Sequence, residues 1–149
     1  MIKLINGRGQ LGEKLGVYIK SLSDEKVAHI YHTWNVWQRG HDIQRKEYAK
    51  FVNFVDRNKS DRIILISTCS QDENYYVHYK QMAEAYLITK CKDCLVIRLP
   101  NLVGNKGILG KLKERSVKPY GKIEFLTLDE AAKKITDLIE YDGLVKIVS

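Results

Sequence analysis

The chain has 149 residues, with 25 Lys and Arg against 18 Asp and Glu for a net charge of +7, 44% apolar residues, 2 Pro and 3 Cys. Those values suit a single globular domain, 1–149, and exclude disordered, collagen-like and mucin-like chains, while an odd, sparse set of cysteines excludes a disulfide framework. No run approaches the roughly 18 consecutive apolar residues that span a bilayer, and the N-terminus lacks an apolar leader with a small-residue cleavage site, so a cytoplasmic protein with no membrane contact is expected.

Residues 2–6 read as a short strand that stops at glycines. Leu11, Leu15, Tyr18, Ile19 and Leu22 then recur at helical spacing, which predicts an amphipathic helix over 10–22. A strand from Val27 to about Thr33 follows, and the polar stretch 35–42 reads as a loop. Tyr48, Phe51, Val52 and Val55 mark one face of a helix over about 42–57. The uninterrupted run Ile63-Ile64-Leu65-Ile66 suits a strand covered on both faces. A helix over about 72–90 leads to a strand at 95–97 that ends at Pro100. Beyond the Gly- and Lys-rich segment 104–122, a short strand at 123–126, a helix over about 129–140 and a last strand at 144–148 complete the chain. This alternation predicts an α/β, Rossmann-like fold of reduced strand number, its mainly parallel sheet flanked by helices placed on both faces by right-handed crossovers.

Four motifs carry chemistry. Gly7-Arg8-Gly9-Gln10-Leu11-Gly12 is a G-x-G-x-x-G between a strand and a helix. Glycines there allow a tight turn and close backbone approach to a pyrophosphate at the helix N-terminus; a ligand-free βα turn is the alternative. The acidic residue expected about 20 positions on for a ribose hydroxyl is replaced by His32 and Thr33, and Arg8 could face a 2′-phosphate, which favours NADP over NAD. Tyr76 and Lys80, four apart on a helix, share a face where a cation would lower the phenol's pKa and make it a usable acid or base; a partly exposed aromatic face is the plainer reading. Ser67 and Thr68 lie at the carboxyl end of a buried strand, where α/β sheets place ligands, though an ST-turn would look the same. Asn101, in Arg98-Leu-Pro-Asn-Leu-Val-Gly104, ends another strand and could bond a ligand.

In this order the four motifs resemble the extended short-chain dehydrogenase/reductase family of nucleotide-sugar epimerases, dehydratases and reductases. The Y-x-x-x-K helix continues into Glu84, Arg98 to Gly104 is similar to the family's R-x-x-N-x-Y-G segment, and Gly9 to Gly12 with Ser67-Thr68 leans toward the dehydrorhamnose-reductase branch. The resemblance implies NAD(P)-dependent hydride transfer on a nucleotide-activated sugar. Tyr76 would exchange the proton, Lys80 would lower its pKa and hold the nicotinamide ribose, and Thr68 would bond the reacting oxygen. Cys69 stands where some members carry the catalytic hydroxyl, which leaves that assignment open. Asn101 and cations among Lys106, Lys111, Lys113, Arg115 and Lys118 would face the substrate diphosphate.

Family members are longer than this chain. The segment 27–34 resembles the family's later strand better than its second, which implies deletion of the strand and helix that hold the adenosine half of the cofactor. A shortened sheet leaves an edge through which a second copy could complete the site, so a homo-oligomer is expected, and a non-catalytic nucleotide-binding or assembly subunit is the alternative function. Charge alone, without an aromatic-basic platform, does not make a nucleic-acid module. Cys91-x-x-Cys94 reads as two structural thiols, no histidine spacing suggests a metal, and Trp34 and Trp37 read as packing residues or as stackers on a base or sugar.

Overall fold

The computed structural model describes residues 2–5, 10–19, 28–103 and 125–148. In chain order these form β1 (Ile2–Ile5), α1 (Gln10–Ile19), β2 (Ala28–Tyr31), α2 (His41–Asn58), β3 (Arg62–Thr68), α3 (Tyr75–Lys90), β4 (Cys94–Leu99), β5 (Asn101–Val103), β6 (Phe125–Thr127), α4 (Leu128–Asp137) and β7 (Val145–Ile147). Five strands make one parallel sheet in the order β1-β2-β3-β4-β7, and β5 and β6 pair in parallel beside it. The expected parallel α/β architecture is thus present.

Burial on both faces explains the centre of the sheet. Ile63 to Ile66 in β3 and Leu95 to Ile97 in β4 are inaccessible or nearly so, as unbroken apolar runs require. Their alternate side chains enter two cores. One holds Ile30, Ile64, Ile66, Leu95 and Ile97 with Leu15 of α1 and Ala131, Ala132 and Ile135 of α4. The other holds Tyr31, Ile63, Leu65 and Val96 with Phe51 and Val55 of α2 and Tyr79, Ala83 and Leu87 of α3. Polar caps set where helices begin. Asn74 accepts from the Val77 amide at 2.9 Å, and Thr127 accepts from the Glu130 amide at 3.0 Å while its hydroxyl donates to the Glu130 carboxylate.

Helices do cover both faces, but crossovers of one hand do not explain why. From β1 to β4 each strand lies beside its predecessor, so connections of a single hand would place α1, α2 and α3 on the same face. Instead α1 packs on α4, opposite α2 and α3. The β1–α1–β2 connection therefore has the opposite hand to the two that follow, and one of the two hands is the rare left-handed one. A right-handed path through α1 would lead to a strand on the open side of β1. Pro100 interrupts rather than ends the extended chain, since β5 resumes at Asn101.

Arg62 ties the start of β3 to the end of α4. Its Nε donates to the Ile139 carbonyl at 2.7 Å, Nη2 to the Tyr141 carbonyl at 2.8 Å, and Nη1 to Asp93 at 2.6 Å. Arg62→Met leaves two carbonyls without their donor. A loss of about 2–4 kcal/mol in unfolding free energy is expected, read as a lower urea midpoint at unchanged m.

Candidate functional site

The carboxyl end of β3 and the first turns of α3 bring Thr68 and Tyr76 together, near enough for the Thr68 hydroxyl to pull down the pKa of the phenol. Thr68 Oγ1 also accepts from the Ser70 amide at 3.0 Å, so the ST-turn anticipated as an alternative is present as well. Ser67 is committed elsewhere. Its hydroxyl donates to Glu84 Oε2 at 2.6 Å, while Arg98 Nη2 and Nε reach Glu84 Oε1 at 2.6 and 3.1 Å. This buried carboxylate joins β3, α3 and β4 and fixes the strand ends behind Thr68. Beside it opens a cleft of about 390 Å³ whose polar lining is Thr68, Ser70, Gln71, Gln81, Glu84 and Arg98.

Lys80 lies one turn beyond Tyr76 but points inward. It is 3% exposed, its Nζ donates to the Ile66 carbonyl at 2.7 Å, and the ammonium sits 4.5 Å from the centre of the Trp34 ring and 6.0 Å from that of Tyr76. The cation on the tyrosine is Arg39, whose guanidinium carbon lies 4.9 Å above the Tyr76 ring. Burial pushes the Tyr76 hydroxyl up to about 12, against the pull of Arg39 and of the Thr68 hydrogen bond. Burial likewise pushes Lys80 down to about 7, against the carboxylates of Glu84 and Glu47.

Residues 32–40 form the roof of this region. Trp34 is nearly buried and donates its indole N–H to Gln44 Oε1 at 2.7 Å; Gln44, fully buried in α2, donates from Nε2 to the carbonyls of Asn35 at 2.6 Å and Gln38 at 2.8 Å. His32 Nε2 and Glu47 Oε2 are buried without a hydrogen-bond partner among the described residues. Burial, and then Lys80, lower the pKa of His32.

Arg39 and Gln44 escaped the sequence reading, since no motif links a loop arginine to a tyrosine on another helix or a glutamine in the first turn of a helix to the loop before it. Of the glycine motif, Gln10, Leu11 and Gly12 open α1, with Leu11 against the core and Gly12 buried; Gly7, Arg8 and Gly9 lie outside the described residues. Asn101 opens β5 and pairs with Phe125. Lys106, Lys111, Lys113, Arg115 and Lys118 also lie outside the described residues. Cys91 Sγ lies 3.4 Å from the Asp93 carbonyl, and burial pushes both it and Cys94 up, the latter to about 11. No group of three His, Cys, Asp or Glu among the described residues is placed to hold a metal, and no helix among them is long and apolar enough to cross a membrane.

No protein-family model and no curated protein matches the sequence. Solved structures do match over 99% of the chain. The enzyme WbmG of Bordetella bronchiseptica in complex with NAD is 15% identical, with a TM-score of 0.66 over 72% of its own chain. A dTDP-4-dehydrorhamnose reductase of Clostridium acetobutylicum is 11% identical, with a TM-score of 0.75 over 73% of its chain. A GDP-L-fucose synthetase of Naegleria fowleri bound to NADP is 12% identical, with a TM-score of 0.56 over 71% of its chain. At these identities the likeness is one of fold. The chain shares the Rossmann-like fold of these enzymes and spans about 71–73% of their length, and a Rossmann-like fold is what the motifs led us to expect.

Proposed function

We propose that the protein is an NAD(P)-dependent oxidoreductase or epimerase acting on a nucleotide-activated sugar, with the whole chain serving as one shortened domain and Tyr76, Lys80 and Thr68 as its proton-transfer set. The observation that carries this reading is the convergence of the Thr68 and Tyr76 hydroxyls at the carboxyl end of β3, with Lys80 one helical turn away. The donor set also suits a hydroxyl-bearing ring. Lys80 gives one hydrogen bond to protein, and His32 Nε2 and Glu47 Oε2 lie buried near it without partners among the described residues.

A bound nicotinamide would supply the hydride. Gly7 to Gly12 would hold its pyrophosphate and Lys80 its ribose, with Arg8 favouring NADP. Tyr76, whose hydroxyl keeps its proton at neutral pH, is suited to donate that proton to a sugar carbonyl oxygen. The phenolate left behind would rest beneath Arg39 and on the Thr68 hydroxyl. This polarity favours the reducing direction. Asn101 would bind substrate, and a homo-oligomer would complement a chain this short.

Calorimetric titration with NADPH and NAD+, followed by turnover of a nucleoside-diphosphate 4-keto sugar with NADPH, tests the reading. Micromolar NADPH binding with turnover is expected; no dinucleotide binding at millimolar concentration would overturn it. A second reading, a non-catalytic nucleotide-binding or assembly subunit, is favoured by β1 standing at the sheet edge. Dinucleotide binding without turnover would select it.

A further inference from the structure

One segment covers both members of the Tyr76–Lys80 pair. Trp34 lies over the Lys80 ammonium and Arg39 over the Tyr76 ring, and both belong to the irregular stretch 32–40 between β2 and α2. One side chain of α2, Gln44, binds the stretch at three points. Gln44 uses its amide oxygen on the Trp34 N–H and its amide nitrogen on the Asn35 and Gln38 carbonyls. Asn35 Oδ1 also accepts from the amides of Trp37 and Gln38 at 3.0 Å, and the Trp34 ring packs 6.3 Å from that of Phe51.

Beneath the cover, polar groups lie among the apolar side chains of the second core, to which Trp34 itself belongs. An indole face offers the buried ammonium a cation–π contact but no hydrogen-bond acceptor, and that ammonium has more N–H groups than the Ile66 carbonyl uses. Buried polar atoms are ordinarily paired, yet His32 Nε2 and Glu47 Oε2 in this neighbourhood are not, among the described residues. A polar, hydroxyl-bearing ring would satisfy these groups where the indole does not.

We propose that residues 32–40 are an autoinhibitory latch: in the free protein Trp34 occupies the place on Lys80 that a ribose or sugar diol takes, and ligand entry requires Trp34 and Arg39 to swing away together with the Gln44 bonds broken. This rests on the dinucleotide reading above. Apparent affinity is then the intrinsic affinity reduced by the fraction of open protein, and anything that weakens the closed latch tightens binding.

Two substitutions weaken it to different degrees. Trp34→Phe keeps an aromatic ring but loses the N–H to Gln44 and part of the ring over Lys80; Gln44→Leu keeps side-chain size and removes all three bonds. By calorimetry with NADP+, Kd should fall about fivefold in Trp34→Phe and about thirtyfold in Gln44→Leu. In the wild-type protein, deuterium uptake at the amides of 33–40 should rise when NADP+ is added, a measurement that needs no variant to fold. NADP+ binding with uptake unchanged, or with Kd equal in all three proteins, overturns the latch and leaves the dinucleotide reading intact. No NADP+ binding by the wild-type protein at millimolar concentration overturns the underlying reading and the latch with it.

Discussion

Tyr76→Phe is expected to lower turnover of a nucleoside-diphosphate keto sugar by about 10²–10⁴-fold, the range ordinarily supplied by a positioned acid. The substitution is a narrow one. The ring stays beneath Arg39 and beside Lys80, and the polar partner lost is the Thr68 hydroxyl, which retains the Ser70 amide. Fold and dinucleotide affinity should therefore change little, with a stability cost of about 1 kcal/mol or less. The loss should lie in kcat and leave the Kd for NADPH in place. A hydroxyl pushed up to about 12 stays protonated throughout the assay range, so its own titration should leave no inflection between about pH 6 and 9. Steady-state kinetics with parallel calorimetry checks all three points. Retention of a tenth or more of wild-type turnover would remove Tyr76 from the role of proton donor.

How far the sequence reached follows from which interactions are local. The buried run Ile63 to Ile66 and the helix of Tyr76 and Lys80 were legible, because periodicity and apolar runs report burial one element at a time. What periodicity does not carry is which face of the sheet a helix takes. Leu15 marks an apolar stripe on α1 equally well whether that helix joins α2 or α4. The i, i+4 spacing likewise put Tyr76 and Lys80 on one face without revealing that the ammonium turns inward to the Ile66 carbonyl. The cation on the tyrosine ring comes from Arg39, on a different element, and Gln44 joins the roof by bonds to backbone carbonyls that have no sequence signature.

Lys80→Met should abolish turnover and at the same time stabilise the protein at neutral pH. Lys80 in the fold titrates at about 7, whereas the unfolded chain holds that proton up to its ordinary 10.5. Between those values the unfolded state binds more protons than the folded one, so this group makes stability rise with pH, by up to about 1.4 kcal/mol per unit. Below pH 7 both states are protonated and the contribution is flat at its least favourable level. His32, lowered from 6.5, acts with the same sign at more acidic pH. Cys91 and Cys94, raised from 9.0, oppose it above 9, and Tyr31 and Tyr76, raised from 10.0 to about 12, oppose it above 10. The clean window is therefore pH 7 to 9. Removing the buried amine removes a penalty of a few kcal/mol at pH 7, offset in part by leaving the Ile66 carbonyl without its donor and the Glu84 and Glu47 carboxylates without the ammonium beside them. A net gain of about 1–3 kcal/mol at about pH 7 is expected, shrinking as pH rises. Urea unfolding of the wild-type and Lys80→Met proteins at about pH 7, 8 and 9 measures it. A wild-type stability that does not rise across that window, or a Lys80→Met protein that is less stable than wild type at neutral pH, would show that Lys80 supports the fold; the opposite result marks a residue retained at a cost to stability, as expected of one kept for chemistry.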